Sequence, residues 1–278
     1  MVGVPRVVSA LEQRFGTLEP IGGGYSSRVY GAGDRVLKVY HLSGGAHRVE
    51  AEKMRVAGLG DWVVDTLEIA PDSLPDQPQP RAADVLVMRR FTGAPLTADD
   101  IPKALPALGA FLRQLHATQG DPLDLDALHA KLERFRAVLE PLNLNLEPLV
   151  QTVRHALESG ILNVTSSLCH LDLWHQNVLF APPNQVLVVD WHKSGFDDAA
   201  RDYALFFTGT LELLPLEQAR TCILALTDAE GVTERLYPYI ALSTLHDLYW
   251  FHTKQPEHFQ DACALKLPRV RALLEASF

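Results

Sequence analysis

The sequence predicts an α+β chain in two parts: a small antiparallel-sheet N-terminal lobe over 1–92 and a mainly helical C-terminal lobe over 93–278. Three observations lead there. Up to Gly93, short apolar runs are separated by Gly, Pro and Asp turns, the pattern of strands. Beyond it, apolar residues recur mostly at helical spacing. Among those helical runs stands one hairpin, a polar loop at 170–177 followed by two apolar strands, the second running into Asp190.

In the N-terminal lobe, Thr17 to Ile21 reads as a short strand, and Gly22-Gly23-Gly24-Tyr25-Ser26-Ser27 as a turn. Such a turn suits a loop that lays backbone N–H groups over phosphates. Arg28 to Tyr30 and Arg35 to Tyr40 are strands joined through Gly31-Ala32-Gly33-Asp34. Lys38 sits among Val36, Leu37, Val39 and Tyr40, where a charge calls for a phosphate or carboxylate partner. Gly45 to Leu59 favours helix and offers Glu50 and Glu52, which point to different faces. Trp62 to Ala70 is a strand, Pro71 to Pro80 a proline-rich loop and Ala83 to Met88 another strand. Arg89-Arg90-Phe91-Thr92-Gly93 is the expected hinge.

In the C-terminal lobe, helices are expected over Ile101 to Thr118, Leu128 to Glu140 and Leu146 to Gly160. A strand then leads into the loop, followed by strand Val178 to Phe180, a turn at Pro182-Pro183-Asn184 and strand Val186 to Val189. Helices follow at Ala199 to Leu213, Leu216 to Asp228 and Thr233 to Phe251. A last one, from about Glu257 to Ala276, is expected to break at Pro268.

Composition is that of an ordinary water-soluble protein, and no apolar run has the length of a membrane span. Met1 to Ala10 lacks the apolar core of a secretory signal. The cysteines Cys169, Cys222 and Cys263 are few, odd in number and widely spaced, which suits a reducing, cytoplasmic setting. The net charge of −9 falls within residues 94–278, where 23 acidic side chains face 14 basic ones. That balance speaks against nucleic acid or an anionic membrane as partner and is compatible with a cationic small molecule.

The loop carries the chemistry. His170-Leu171-Asp172-Leu173-Trp174-His175-Gln176-Asn177 has the His-x-Asp-x-x-x-x-Asn spacing of a kinase catalytic loop. A substrate hydroxyl needs a carboxylate to take its proton, which Asp172 supplies. Nucleotide phosphates need magnesium, a hard cation that prefers oxygen ligands, and Asn177 and Asp190 offer them. His170 reads as a residue that bonds backbone and orients Asp172.

These residues resemble the aminoglycoside phosphotransferase and choline kinase-like superfamily of small-molecule kinases. The loop through Val178-Leu179 matches its His-Gly-Asp-Leu-His-x-x-Asn form, and Val189-Asp190-Trp191 its Ile-Asp-Trp motif. Gly195-Phe196-Asp197-Asp198-Ala199-Ala200-Arg201-Asp202 resembles its Gly-x-x-Asp-Pro-x-x-Asp segment. Arg48-Val49-Glu50-Ala51-Glu52 resembles its Arg-x-Glu-Ala-Glu, which makes Glu50 the implied partner of Lys38. Val85 to Gly93 resembles its hinge strand, and Phe111 to His116 its Leu-x-x-Leu-His helix. Leu171 and Trp174 replace the usual Gly and His, and His192 stands where an acid is common.

The resemblance implies a protein-kinase-like two-lobed fold and transfer of the γ-phosphoryl group of ATP, or GTP in its place, to a hydroxyl of an aminoglycoside, amino alcohol or sugar. Lys38, Glu50, Gly22, Gly23, Gly24, Ser26, Ser27, Met88, Arg89 and Phe91 are the expected nucleotide residues. Asn177 and Asp190 are expected to hold magnesium, and Asp202 to brace the loop. Asp247 and Trp250 are distal candidates for the acceptor. A nucleotide-binding pseudokinase with a regulatory or scaffold role is the alternative, for which Leu171 and His192 speak.

Overall fold

Alternation along Arg35–Tyr40 organises the N-terminal part of the computed structural model, which describes residues 4–23, 27–41, 44–69 and 83–275. This strand, β3, lies inside a five-stranded antiparallel sheet with β1 (Glu19–Gly23), β2 (Ser27–Ala32), β4 (Val63–Ile69) and β5 (Ala83–Arg89), in the order β1-β2-β3-β5-β4. Because side chains alternate across a strand, Leu37 and Lys38 serve opposite faces. On the Leu37 side, Val85 and Val87 join Val7 and Leu11 of α1 (Val4–Phe15) in one apolar cluster. On the Lys38 side lies α2 (Ala46–Val56).

Helix α1 is not among the elements expected from the sequence. Its signal is nevertheless there, since Val7, Leu11 and Phe15 recur every four residues. The glycine segment also differs from expectation: Gly22 and Gly23 belong to β1, paired with Val29 and Arg28. Gly23 has φ +151, and a Cβ there would lie 3.0 Å from the Ser27 carbonyl oxygen, so the hairpin needs glycine. Gly24, Ser26 and the loop at Pro71 to Pro80 lie outside the described residues.

The C-terminal part holds two small antiparallel sheets. One orders β10 (Gln185–Val188), β9 (Val178–Ala181) and β6 (Ala94–Pro95). The other orders β11 (Gly195–Asp197), β8 (Thr165–Cys169) and β7 (Gln119–Pro122). The helices are α3 (Ile101–His116), α4 (Leu125–Leu139), α5 (Glu147–Glu158), α6 (Ala199–Gly209), α7 (Leu216–Asp228), α8 (Thr233–Lys254) and α9 (Phe259–Glu275). Helix α8 buries residues around its whole circumference, from Leu236 to Leu248, and packs against α4, α5, α6, α7 and α9. Asp124 and Asp198 cap α4 and α6 by accepting from the Ala127 and Ala200 N–H groups.

Pro268 does not break α9, contrary to the sequence expectation. Proline forfeits one backbone hydrogen bond, but Leu267, Val270, Leu273 and Leu274 are all buried and hold both sides of it in one helix. Among the described residues no helix is long and apolar enough to cross a membrane.

The chain divides into two compact units. One comprises the residues up to Thr92 together with Asp190–His192, and the other comprises Gly93–Val189 and the residues from Lys193 onward. The three-residue excursion at Asp190 thus belongs with the sheet of the N-terminal unit.

Candidate active site

In the N-terminal unit, β3 presents Lys38 and Tyr40 on the same face, two residues apart. The Lys38 side chain is buried and donates to Glu50 Oε1 at 2.9 Å, Glu50 Oε2 at 2.8 Å and Asp190 Oδ1 at 2.6 Å. Glu50 also accepts from the Tyr40 hydroxyl at 2.6 Å and the Trp191 N–H at 3.2 Å. Glu52 is exposed and, among the described residues, meets Arg55 at 3.2 Å. The helical turn that separates the two glutamates therefore decides which one reaches Lys38. Burial, with the Glu50 charge beside it, pushes the Tyr40 phenol far up, so it stays a donor.

Asp190 has φ +68, a left-handed conformation that Asp tolerates better than most residues. Its Oδ1 takes both Lys38 and His192 Nδ1, the latter at 2.7 Å. Burial alone would raise its pKa. The His192 hydrogen bond and the Lys38 charge outweigh that and hold it well below the usual carboxylate range. Lys53 Nζ donates to the His192 carbonyl oxygen at 2.7 Å. Ser27 is buried at the start of β2. Met88 is half-buried, Arg89 is exposed, and Phe91 stands edge-on to Trp62 with ring centroids 5.7 Å apart. One supporting carboxylate escaped the sequence reading. Buried Asp84 accepts from the Gly44 and Gly45 N–H groups at 3.0 and 2.8 Å, ahead of α2, and lies 3.1 Å from His47 Nδ1.

In the C-terminal unit, Asp172 follows β8. Lys193 Nζ donates to its Oδ1 at 2.8 Å. Asn177 Nδ2 donates to its Oδ2 at 3.3 Å and to its backbone oxygen at 2.9 Å. The loop is fixed from below by Asp202, which is fully buried and accepts from the His170 and Leu171 N–H groups at 2.7 and 2.8 Å. His170 Nε2 donates to the Val189 carbonyl oxygen at 3.0 Å. Leu171 has φ +61, a region where glycine is favoured, at a place where the resembling family has Gly.

Asp202 in turn faces His116 Nε2 at 3.2 Å, and His116 Nδ1 faces Glu230 at 2.9 Å. Tyr203 donates to Glu230 as well. Burial pulls the His116 pKa down, but the two carboxylates more than offset it and raise it to about 9. Burial pushes the Cys169 thiol well up, consistent with a packed side chain rather than a nucleophile.

Lys193 and Glu230 were not picked out from the sequence. No spacing rule links Lys193 to a partner 21 residues earlier in the chain. At the distal candidates, Asp247 is bound by Lys266 at 3.1 Å, and Trp250 is 37% exposed and edge-on to Phe251.

Residues 17–239 match the family model described as the phosphotransferase enzyme family. Among curated proteins, no sequence matches the chain. Solved structures do. A choline/ethanolamine kinase family protein from Mesorhizobium loti is 21% identical with a TM-score of 0.69, covering 99% of this chain and 95% of that one. A thermostable mutant of aminoglycoside phosphotransferase APH(4)-Ia, in ternary complex with ADP and hygromycin B, is 19% identical with a TM-score of 0.65 over 97% and 98% of the two chains. Choline kinase LicA from Streptococcus pneumoniae is 16% identical with a TM-score of 0.65 over 98% and 99%. At these identities the likeness is one of fold, a kinase-like α+β architecture with an antiparallel sheet first and helices after it.

Proposed function

The chain belongs to the phosphotransferase enzyme family, and on that premise we propose that it transfers the γ-phosphoryl group of ATP, or of GTP in its place, to a hydroxyl of a small molecule. The observation that carries this reading is Lys38, a buried ammonium bound between Glu50 and Asp190. A buried ammonium needs such partners, and these hold it in one place, which suits a group that must meet phosphate oxygens in a fixed position. The solved neighbour in complex with ADP supports an adenine nucleotide.

The donor set fits magnesium. Asp190 is a carboxylate held ionised, and both of its side-chain contacts use Oδ1. Asn177 spends its amide nitrogen on Asp172 and keeps its carbonyl oxygen as a hard ligand. When bound, the ion neutralises charge on the phosphates. In the reaction, Asp172 accepts the proton of the acceptor hydroxyl while that oxygen forms the new bond to the γ-phosphorus. The bond from phosphorus to the β–γ bridging oxygen breaks, and its electron pair leaves with ADP. Lys38 holds the phosphates, and Glu50 holds Lys38. Asp202 and Asn177 keep the Asp172 loop from shifting, which matters because such transfer relies on positioning.

Titration calorimetry with ATP, with and without magnesium, and ADP release across a panel of hydroxyl compounds test this together. The reading requires magnesium-dependent binding and acceptor-dependent ADP release. A protein that binds no nucleotide under either condition overturns it.

A further inference from the structure

We infer that the N-terminal unit carries a zinc site of its own, built from His47, Glu68 and Asp84, which fastens the start of α2 to β4 and β5. The inference stands apart from the phosphotransfer reading and needs no nucleotide.

The sheet register sets two carboxylates side by side. Glu68 of β4 pairs directly with Asp84 of β5, and like charges facing each other across two strands repel. Asp84 lies two residues from Leu86, the partner of Lys38, so these residues share the face on which α2 lies. His47, in the first turn of α2, is fully buried. Its Nδ1 lies 3.1 Å from Asp84 Oδ2 and its Nε2 4.0 Å from Glu68 Oε1, yet neither ring nitrogen makes a hydrogen bond. The Asp84 oxygen is close enough for one but out of line with the ring N–H. A buried polar atom left unpaired calls for an explanation, and an ion is one. One atom from each of the three side chains lies within 4.8 Å of the other two. Zinc bonds of about 2.0–2.2 Å put neighbouring ligand atoms about 3–3.5 Å apart, so a small movement of the exposed Glu68 side chain closes the set.

The donor set selects the metal. One imidazole nitrogen with two carboxylates, and water in the fourth position, suits zinc; magnesium prefers oxygen alone. The ion also removes the repulsion between Glu68 and Asp84. Asp84 is already held in place, accepting from the Gly44 and Gly45 N–H groups at 3.0 and 2.8 Å, the kind of support that ligating carboxylates receive. Arg48 meets Glu68 Oε1 at 2.9 Å, but both side chains are exposed, and such a pair yields at little cost. The site has a mechanical consequence. His47 and Glu50 lie three residues apart and are both buried on one face of α2. An ion on His47 therefore fixes the turn that presents Glu50 to Lys38.

The test uses the full chain, stripped with a chelator and free of nucleotide, with zinc as ligand and cobalt(II) as its spectroscopic stand-in. The expected result is a tight cobalt(II) ion with visible ligand-field bands, displaced by zinc, and a melting temperature that rises with zinc concentration. Losing a residue that only orients a metal ligand costs roughly 10–100-fold in affinity, so His47→Gln, which removes a ligand, should cost at least the upper figure. Glu68→Gln changes an exposed side chain and leaves the fold in place; it should weaken zinc as well, and it decides the matter if His47→Gln fails to fold. Asp190→Ala should keep the zinc affinity, which separates this site from the proposed magnesium site. Absence of zinc binding and of any zinc-dependent rise in melting temperature overturns the inference. So does zinc affinity unchanged in Glu68→Gln, or lost in Asp190→Ala, or weaker than that for magnesium. Failure of nucleotide binding bears on the phosphotransfer reading and leaves this site untouched.

Discussion

Glu50 and Glu52 are two residues apart and chemically alike, yet their surroundings make opposite demands. Glu50 is 1% exposed and accepts from Lys38, Tyr40 and the Trp191 N–H. Glu50→Ala strands three buried donors and should lower stability by about 3 kcal/mol or more. Glu52→Ala loses only an exposed contact with Arg55 and should cost no more than about 0.5 kcal/mol. Urea unfolding of both variants checks the pair; equal costs would mean that the Lys38 cluster is not the buried network described. The Lys38, Asp172, Asn177 and Asp190 positions could be read from the chain because local pattern marks each of them. Lys38 interrupts an apolar strand, and the other three sit at fixed spacing in and after one loop. Lys193 could not be read. Its contact with Asp172 depends on how the chain re-enters the C-terminal unit after the left-handed Asp190, which leaves no mark in residue type or spacing.

The contact between α3 and α6 shows how one element tunes another. His116, at the end of α3, is buried against Asp202, whose carboxylate holds the loop that carries Asp172. With the folded pKa of His116 raised from 6.5 to about 9, its ionic contribution is complete below pH 6.5 and drains away as pH climbs through about 9. The melting temperature should fall across that window. His116→Gln, which carries no titrating proton, should flatten the decline; an unchanged slope in that variant would remove His116 as its source. The long helices could be read because their apolar residues repeat over several turns, and α7 falls at the residues expected for it. The strand before the loop and the hairpin after it could be read, but the two- to four-residue strands β6, β7 and β11 that complete the two small sheets are too short to establish any period. The glycine hairpin was misplaced because Gly carries no side chain whose alternation would reveal a strand. Helix α1 leaves its mark in the sequence as Val7, Leu11 and Phe15 at four-residue spacing.

At the scale of the whole molecule, Asp190–His192 joins the N-terminal unit although its chain neighbours on both sides belong to the other. Only two stretches of chain at this place connect an element of one unit to the body of the other. A ligand held partly by Asp190 therefore acts on the stability of the unit that also contains Lys38. Magnesium with ATP at a hundred times its dissociation constant should stabilise the protein by about 2.7 kcal/mol, read as a rise in melting temperature. Asp190→Ala should abolish that rise, and ATP without magnesium should give little of it. A variant that retains the full magnesium-dependent rise would take Asp190 out of the metal site. The most direct measurement is single-turnover transfer of labelled γ-phosphate from ATP to the best acceptor found, comparing the wild type with Asp172→Asn. The account predicts magnesium-dependent transfer in the wild type and a rate lower by roughly two to four powers of ten in the variant, at unchanged nucleotide affinity. Transfer at the wild-type rate by Asp172→Asn would contradict it.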